Sequence, residues 1–343
     1  FTADTSRIVE KHCHISKRLK NEIKSKISET VSETYIAKET NVSVHTVRRI
    51  IDDTTRLLKI KPLHDLPEHL CFDEFKSVKS SDSNMSFIIC DSTTHKLVDV
   101  VRDRKSYSLK NYFHRFEPKT RLKVKTISID MYLPYIQLIK EMFPNAKIII
   151  DPFHIVQALN RELNRTRVRV MNKHRYKDSK LYRKLKHYWK LILKNSNELQ
   201  NYKYNRYKLF KSFITSKGIV DYILEKNPSL KNDYEVVHSL RECIQDRDYI
   251  EFKETIEAAT QLDLSPGLKR VLKTLMTYLP YIQNTCEYPT RTNGPIEGIN
   301  NKIKVLKRNA YGFRNYYHFR NRIILITKMF GPKQKGIKQQ LVA

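Results

Sequence analysis

The sequence predicts a mixed α/β chain in which a small helical region precedes a sheet, and a long helical stretch leads to a basic C-terminal segment. Three observations predict it. Apolar residues recur at the period of strands from residue 70 to 101, and a strand–helix–strand order follows up to residue 150. From His154 to about Thr285 the period is that of helices. Three consecutive strands followed by strand–helix–strand units indicate a mixed sheet. At 343 residues, with 40% hydrophobic and 29% charged, the chain can bury a sizeable core, and its length suits roughly two or three domains.

The first sixty residues read as helices. Ile36 and Ala37 give one helix an apolar face, and the small Ala37 admits a close neighbour. Asn41 and Val42 make a turn, and Ser43 is a natural N-cap for a helix in which Val44, Val47 and Ile51 recur at i, i+3, i+7. That is the logic of a helix-turn-helix. It leaves His45, Thr46, Arg48 and Arg49 outward, with Ser43 at the helix start, as a reader of base edges and phosphates needs. The bland alternative is a helical pair in a small bundle. Residues 59–67 carry two prolines and no sustained period, and read as a linker.

Strands are expected at residues 70–75, 85–90 and 97–101, with the turn at 91–96 short enough for antiparallel pairing. Residues 106–116 read as a helix, 124–129 as a fourth strand, 134–142 as a helix and 147–150 as a fifth strand. In the helical stretch the charge is uneven. Residues 155–217 hold 18 Lys/Arg against Glu162, Asp178 and Glu198, with tyrosines and Trp189 interleaved. Residues 221–263 reverse this, with 11 acids against five bases. A solvated helix face explains such runs, and so does a nucleic-acid channel, since bases and aromatics alternate over both faces.

Composition narrows the function. With 65 Lys+Arg against 36 Asp+Glu, the net charge of +29 points to a polyanion, most often nucleic acid. No glycine precedes Gly218, so residues 1–217 hold neither a P-loop nor a dinucleotide fingerprint, and no nucleotide cofactor is expected. The five cysteines are odd in number and none are at C-x-x-C spacing, which indicates neither a disulfide framework nor a zinc ribbon, and a cytosolic setting. His12-Cys13-His14 lacks a distant partner pair and reads as a surface accident. A mean hydropathy of −0.57 argues against a membrane span. Phe1 opens the chain without a signal peptide, as a fragment or truncated reading frame would.

Three carboxylates stand out by position. Asp73 lies inside an apolar strand, where an unpaired charge is costly. Asp130 follows directly on the fourth strand, at the edge where ligands collect on α/β sheets. Glu297 opens a basic helix and is the last acid of the chain, with 11 Lys/Arg after it. Converging carboxylates repel unless a metal neutralises them, and hard divalent cations such as Mg²⁺ take oxygen ligands and leave positions for phosphate oxygens. Two such ions activate an attacking hydroxyl and stabilise the leaving oxygen of an in-line displacement. Lys304, two turns beyond Glu297, and Arg308 beyond it extend a phosphate-holding row. Each acid also has a plainer reading: an edge-strand acid beside an opposed Glu74, a helix cap, and a first-turn acid favouring the dipole.

Cys71-Phe-Asp-Glu-Phe75, Ile129-Asp-Met-Tyr132, Ile150-Asp-Pro-Phe-His154 and Asn293-Gly-Pro-Ile-Glu-Gly-Ile-Asn-Asn-Lys-Ile-Lys304 together resemble the DDE transposases of bacterial insertion sequences, most closely the ISL-three family. Lys307-Arg-Asn-Ala-Tyr-Gly-Phe-Arg314 with Phe319-Arg320 fits the same family, so the resemblance runs to about Phe330. It implies a ribonuclease H-like catalytic domain interrupted by a helical insertion, with Asp73, Asp130 and Glu297 as the triad that holds two Mg²⁺, or Mn²⁺ in their place. The implied division is 1–66 for the helix-turn-helix region, 67–170 and 290–343 for the two parts of the catalytic domain, and 171–289 for the insertion. Asp151 and His154 resemble an Asp-x-x-His element that contacts DNA or supports the site; a helix cap and a packed imidazole explain them equally.

The activity so implied is binding of double-stranded DNA at the element's terminal inverted repeats, then metal-dependent strand cleavage and strand transfer into target DNA. Ser43, His45, Thr46, Arg48, Arg49, Lys302, Lys304 and Arg308 are the expected DNA contacts. A homodimer on DNA, a cytoplasmic and nucleoid-associated setting and no membrane partner belong to the same expectation. The family usually carries a cysteine zinc finger upstream, and this stretch contains none. The alternatives are a helix-turn-helix regulator without catalysis, a ribonuclease H-like nuclease that cuts without joining, and a decayed transposase copy.

Overall fold

The computed structural model describes residues 6–10, 13–58, 65–81 and 83–327. His12 of the His12-Cys13-His14 cluster, residues 59–64 of the expected linker and the bases from Lys328 onward lie outside them. The chain forms two compact units. One contains the residues up to Ile148 together with those from Arg291, and the other is Ile149–Thr290.

A five-stranded sheet has the order β3-β2-β1-β4-β5, with β1 at His69–Lys76, β2 at Met85–Asp91, β3 at Leu97–Val101, β4 at Thr126–Ile129 and β5 at Lys147–Ile150. β1 pairs antiparallel with β2 and β2 with β3, while β1 pairs parallel with β4. The antiparallel hairpins follow from the short turns. The parallel pair needs a crossover, which α4 (Ser106–Phe113) and α5 (Pro118–Leu122) provide. The helix expected over 106–116 stops at Phe113, and Pro118 restarts the chain as α5 because its fixed φ suits a first helical turn. β4 begins at Thr126 rather than at residue 124; Val124 is buried ahead of the ladder.

Alternation along β1 sorts its side chains to two faces. Phe72 packs with Phe87, with Phe113 of α4 and with Phe143, which follows α6 (Leu133–Met142), at centroid distances of 5.1, 5.6 and 6.2 Å. Cys71 and Phe75 face the other way, into a cluster with Ile88, Cys90, Ile296, Ile299, Ile303, Phe319 and Ile323. The last five lie on α14 (Gly294–Asn309) and α15 (Tyr316–Ile326), so these C-terminal helices cover that face.

The N-terminal helices α1 (Lys17–Lys26), α2 (Glu33–Glu39) and α3 (Val44–Leu58) enclose their own cluster of Ile23, Ile27, Ile36, Ala37, Val47, Ile50 and Ile51. Between α2 and α3, Asn41 takes a left-handed φ of 51°, and Ser43 Oγ accepts the Thr46 amide at 3.1 Å. This group is tied to α15. The fully buried Arg322 donates to the carbonyls of Ile27, Glu29 and Val31, which line the α1–α2 connection. Burial lowers its guanidinium pKa to about 10. Arg320 of the same helix donates to Asp99 and, at 3.1 Å, to the Val100 carbonyl.

Beyond the end of β5 the second unit is helical, with α8 (Ser179–His187), α9 (Trp189–Leu193), α10 (Ser216–Glu225) and α12 (Tyr249–Ala259) among its helices, apart from one isolated bridge, Asn205 with Ile214. Its boundary after Ile148 lies ahead of the expected 170, because α7 (Pro152–Lys173) is one continuous helix packed on α11 (Pro228–Asp246) and α13 (Pro266–Glu287). The three helices share a buried polar link. Thr166 Oγ1 donates to Asp233 at 2.7 Å and lies 2.9 Å from Ser265 Oγ, whose backbone amide donates to Asp233 at 2.9 Å. Not every base of this stretch faces solvent: Arg167 is buried and donates to the Leu185 carbonyl at 2.8 Å. Exposed aromatics stand among the bases, with Tyr176 89%, Tyr202 78% and Phe213 67% accessible. Among the described residues no helix is long and apolar enough to cross a membrane.

Candidate active site

The site is built where β4 ends beside the middle of β1. Their parallel register pairs Cys71 with Ser128, and two residues further on come Asp73 and Asp130. Neighbouring strands lie about 4.8 Å apart, so the two acids leave the sheet side by side on the face that α14 covers. Glu74, one residue on, points to the opposite face, where it accepts from Tyr135 and binds Arg104 at 2.6 Å. Burial first, and then this bond to Glu74, raise the Tyr135 phenol well above its ordinary value.

Three successive residues ahead of α14 are pinned over this edge. The Arg291 carbonyl accepts from Ser128 Oγ at 3.3 Å, and the Thr292 carbonyl from Cys71 Sγ at 3.4 Å. Asn293 is buried, and its Nδ2 lies 3.3 Å from both the Phe72 carbonyl and Asp130 Oδ1. Two turns beyond Asn293, Asn300 Nδ2 donates to Asp73 Oδ2 at 2.6 Å, while Asp73 Oδ1 accepts the Glu74 amide at 2.7 Å. The helix carrying Glu297 is thus fixed to both strand acids by amide side chains.

Asp130 does not cap α6, whose N-cap is Tyr132 with no side-chain bond. Glu297 sits in the first turn of α14 and is exposed, and Lys302, Lys304 and Arg308 are exposed along the same helix. Lys307 is different: its ammonium donates to the carbonyls of Lys76 and Ser77 at 2.9 and 3.0 Å, and burial lowers its pKa. In the other unit Asp151 caps α7, accepting the Phe153 amide at 3.2 Å, and the half-buried His154 ring stands edge-on to Phe153 at 5.5 Å.

On α3, His45 and Arg49 are exposed, Thr46 is half-buried and Ser43 is engaged in the cap. Arg48 is exposed but pairs with Glu33 of α2 at 3.1 Å, and Glu33 also lies 2.6 Å from His318 Nε2 on α15. Burial alone would raise the Glu33 carboxyl; His318 and then Arg48 outweigh it and hold the pKa below the ordinary value. Sequence reading missed Asn293 and Asn300. The available signal was spacing, since Asn300 stands at i+3 from Glu297 and shares its side of the helix.

A transposase family model of the ISL-three DDE type matches residues 70–323, from β1 through most of α15. The chain belongs to this transposase family. A family relative, the transposase for insertion sequence element IS1001 of Bordetella parapertussis, is 27% identical over 83% of this chain and 67% of its own length. A Lactococcus lactis subsp. lactis protein named as an ATP-dependent protease is 37% identical over 35% of this chain, a stretch covering 38% of that protein. The chain therefore spans well under half of one relative and about two thirds of the other.

Proposed function

We propose that the chain is the working part of an insertion-sequence transposase that binds double-stranded DNA at the element's terminal inverted repeats and catalyses strand cleavage and strand transfer. The observation that carries this reading is the double amide link from α14 to Asp73 and Asp130, which ties the Glu297 helix to the middle of β1 and the end of β4. The strand order, three antiparallel strands followed by parallel β4, supports a ribonuclease H-like fold.

The donor set suits a hard divalent cation. Asp73, Asp130 and Glu297 offer oxygen only, and the buried Oδ1 atoms of Asn293 and Asn300 have no hydrogen-bond partner among the described residues. A bound Mg²⁺ pair, or Mn²⁺, would neutralise phosphate charge and lower the pKa of the attacking water or hydroxyl. The protein's own share is placement. Asp73 and Asp130 would hold the charge at the sheet edge, Glu297 would close it from α14, and Lys302, Lys304 and Arg308 would hold phosphates along the exposed face of that helix. α2 and α3 form the helix-turn-helix reading head, with Ser43, His45, Thr46, Arg48 and Arg49 on DNA and Arg48 kept in place by Glu33. Asp151 and His154 support the site, the basic stretch of the helical unit holds the DNA, and two copies act together on paired ends.

The test is Asp130→Asn in Mg²⁺ with DNA carrying the element ends. Cleavage and transfer should disappear while a gel shift stays within about twofold of wild type. Wild-type-like turnover by this variant overturns the assignment. A joined transfer product from the unaltered chain separates it from a nuclease that only cuts, and metal-dependent nicking separates it from a regulator.

A further inference from the structure

Beside the reading head, the chain carries a second, differently built surface. A groove of about 1120 Å³ runs between α2 and α3 on one side and the β1–β2 connection and the α14–α15 turn on the other. Arg48, Lys76, Lys79, Lys307 and Arg314 line it, against the two carboxylates Glu33 and Asp52. Glu33 is already engaged by Arg48 and His318, so the remaining charge in the groove is positive.

Its rim presents aromatic rings. Tyr311 is fully exposed, and Tyr317 is 62% exposed with the Arg102 guanidinium 5.9 Å from its ring centre. Tyr311 is the first residue past the C-cap of α14 and takes a left-handed φ of 53°, followed by Gly312 at 96°. Helices commonly end on a glycine in this conformation, because a side chain there is strained. Here a tyrosine accepts the strain and gains no packing from it. The turn is nevertheless fixed: the Gly312 amide bonds the Lys307 carbonyl at 2.8 Å, and the Phe313 ring lies tilted against Phe319 with centroids 4.8 Å apart. A rigid turn that holds a bare ring over a cationic groove suits one ligand chemistry well, an unstacked base whose backbone lies along the cations.

We infer that this groove takes an unpaired stretch of DNA, with Tyr311 as the stacking platform and Lys76, Lys79 and Arg314 on its phosphates. The inference rests on the DNA reading above and deepens it by naming the form of DNA that this surface accepts. Duplex DNA keeps its bases stacked inside the helix and offers Tyr311 nothing, whereas a frayed or overhanging end offers a free base.

The experiment uses the full chain and three probes of one sequence: a blunt duplex, the same duplex with a three-nucleotide overhang, and the single strand. Wild type should bind the overhang duplex at least about fivefold more tightly than the blunt one, from the value of one base–aromatic stack. Tyr311→Gly should erase that difference with no fall in melting temperature, since glycine is relaxed at this φ, and Tyr311→Phe should keep it. Lys79→Ala should weaken the overhang duplex and the single strand, flatten the salt dependence of both, and leave the blunt duplex within about twofold. Tyr311→Gly binding with the overhang preference intact, or losing blunt and overhang affinity equally, overturns the inference. Wild type that binds none of the probes overturns the DNA reading itself, and this inference with it.

Discussion

Replacing Arg322 by methionine keeps the length of the side chain and removes its charge and donors. Arg322 is fully buried and bonds three backbone carbonyls of the α1–α2 connection. A hydrogen bond from a charged group is worth about 1.5–3 kcal/mol, so three represent roughly 5–9 kcal/mol. Against this stands the cost of burying the guanidinium. Its pKa, lowered to about 10 from an ordinary 12.5 by burial, corresponds to about 3 kcal/mol. The bonds win by roughly 2–6 kcal/mol, and methionine would also leave three carbonyls without their donor. The melting temperature should fall by roughly 4–24 °C, given 2–4 °C per kcal/mol for a unit of this size. Arg322 stays charged at pH 7 in the folded and unfolded chain alike, so its contribution is constant near neutrality and the comparison needs no pH correction. The assay is urea unfolding followed by two probes. The single tryptophan, Trp189, belongs to the helical unit, so its fluorescence reports that unit while far-UV circular dichroism reports both. The loss should appear in the dichroism transition and leave the fluorescence midpoint in place. A variant within about 1 kcal/mol of wild type, or more stable, would mean that desolvation outweighs the three bonds, as it does for some buried ionic groups.

Two further outcomes follow from the geometry. Asn300→Ala removes the bond to Asp73, and should lower strand cleavage roughly 10- to 100-fold while DNA binding stays within about twofold; unchanged cleavage would deny Asn300 a positioning role. His238 is buried, and burial lowers its pKa to about 4. The unfolded chain binds that proton near pH 6.5, so the stabilising effect of a neutral His238 is complete above about 6.5 and is lost as pH falls toward 4, up to about 3 kcal/mol. Unfolding free energies at pH 7 and pH 5 should differ less in His238→Gln than in wild type, and equal differences would refute it.

Much of this arrangement was legible in the residues. The strands announced themselves by alternation, and that same alternation put Cys71, Asp73 and Phe75 on one face and Phe72 and Glu74 on the other. α14 was legible because its basic, periodic run begins with a Pro and a first-turn acid. What stayed hidden is long-range and polar. Asn293 and Asn300 reach partners some 160 to 230 positions away in sequence, and nothing local distinguishes an asparagine that bridges two strands from one that makes a turn. Net charge overstates the bases open to a polyanion for a related reason. It counts Lys307, Arg320 and Arg322 with the bases that meet a polyanion, yet these three spend their donors on backbone carbonyls and Asp99. Arg48 looked outward on α3, but its partner Glu33 lies fifteen positions earlier, on α2. Local period finds elements; it does not find the hydrogen-bond partner of a long side chain.

The interrupted unit imposes an order on synthesis. The face of the sheet that carries Cys71, Phe75, Ile88 and Cys90 is covered by α14 and α15, and neither helix exists until all of Ile149–Thr290 has been translated. At about 5–20 residues per second this interval lasts roughly 7–28 s. Throughout it the ribosome holds a nascent sheet with one greasy side bare, while the contiguous helical unit can complete itself downstream. A stop codon between β5 and α14 would leave that apolar face without its cover, the kind of exposed patch that favours aggregation.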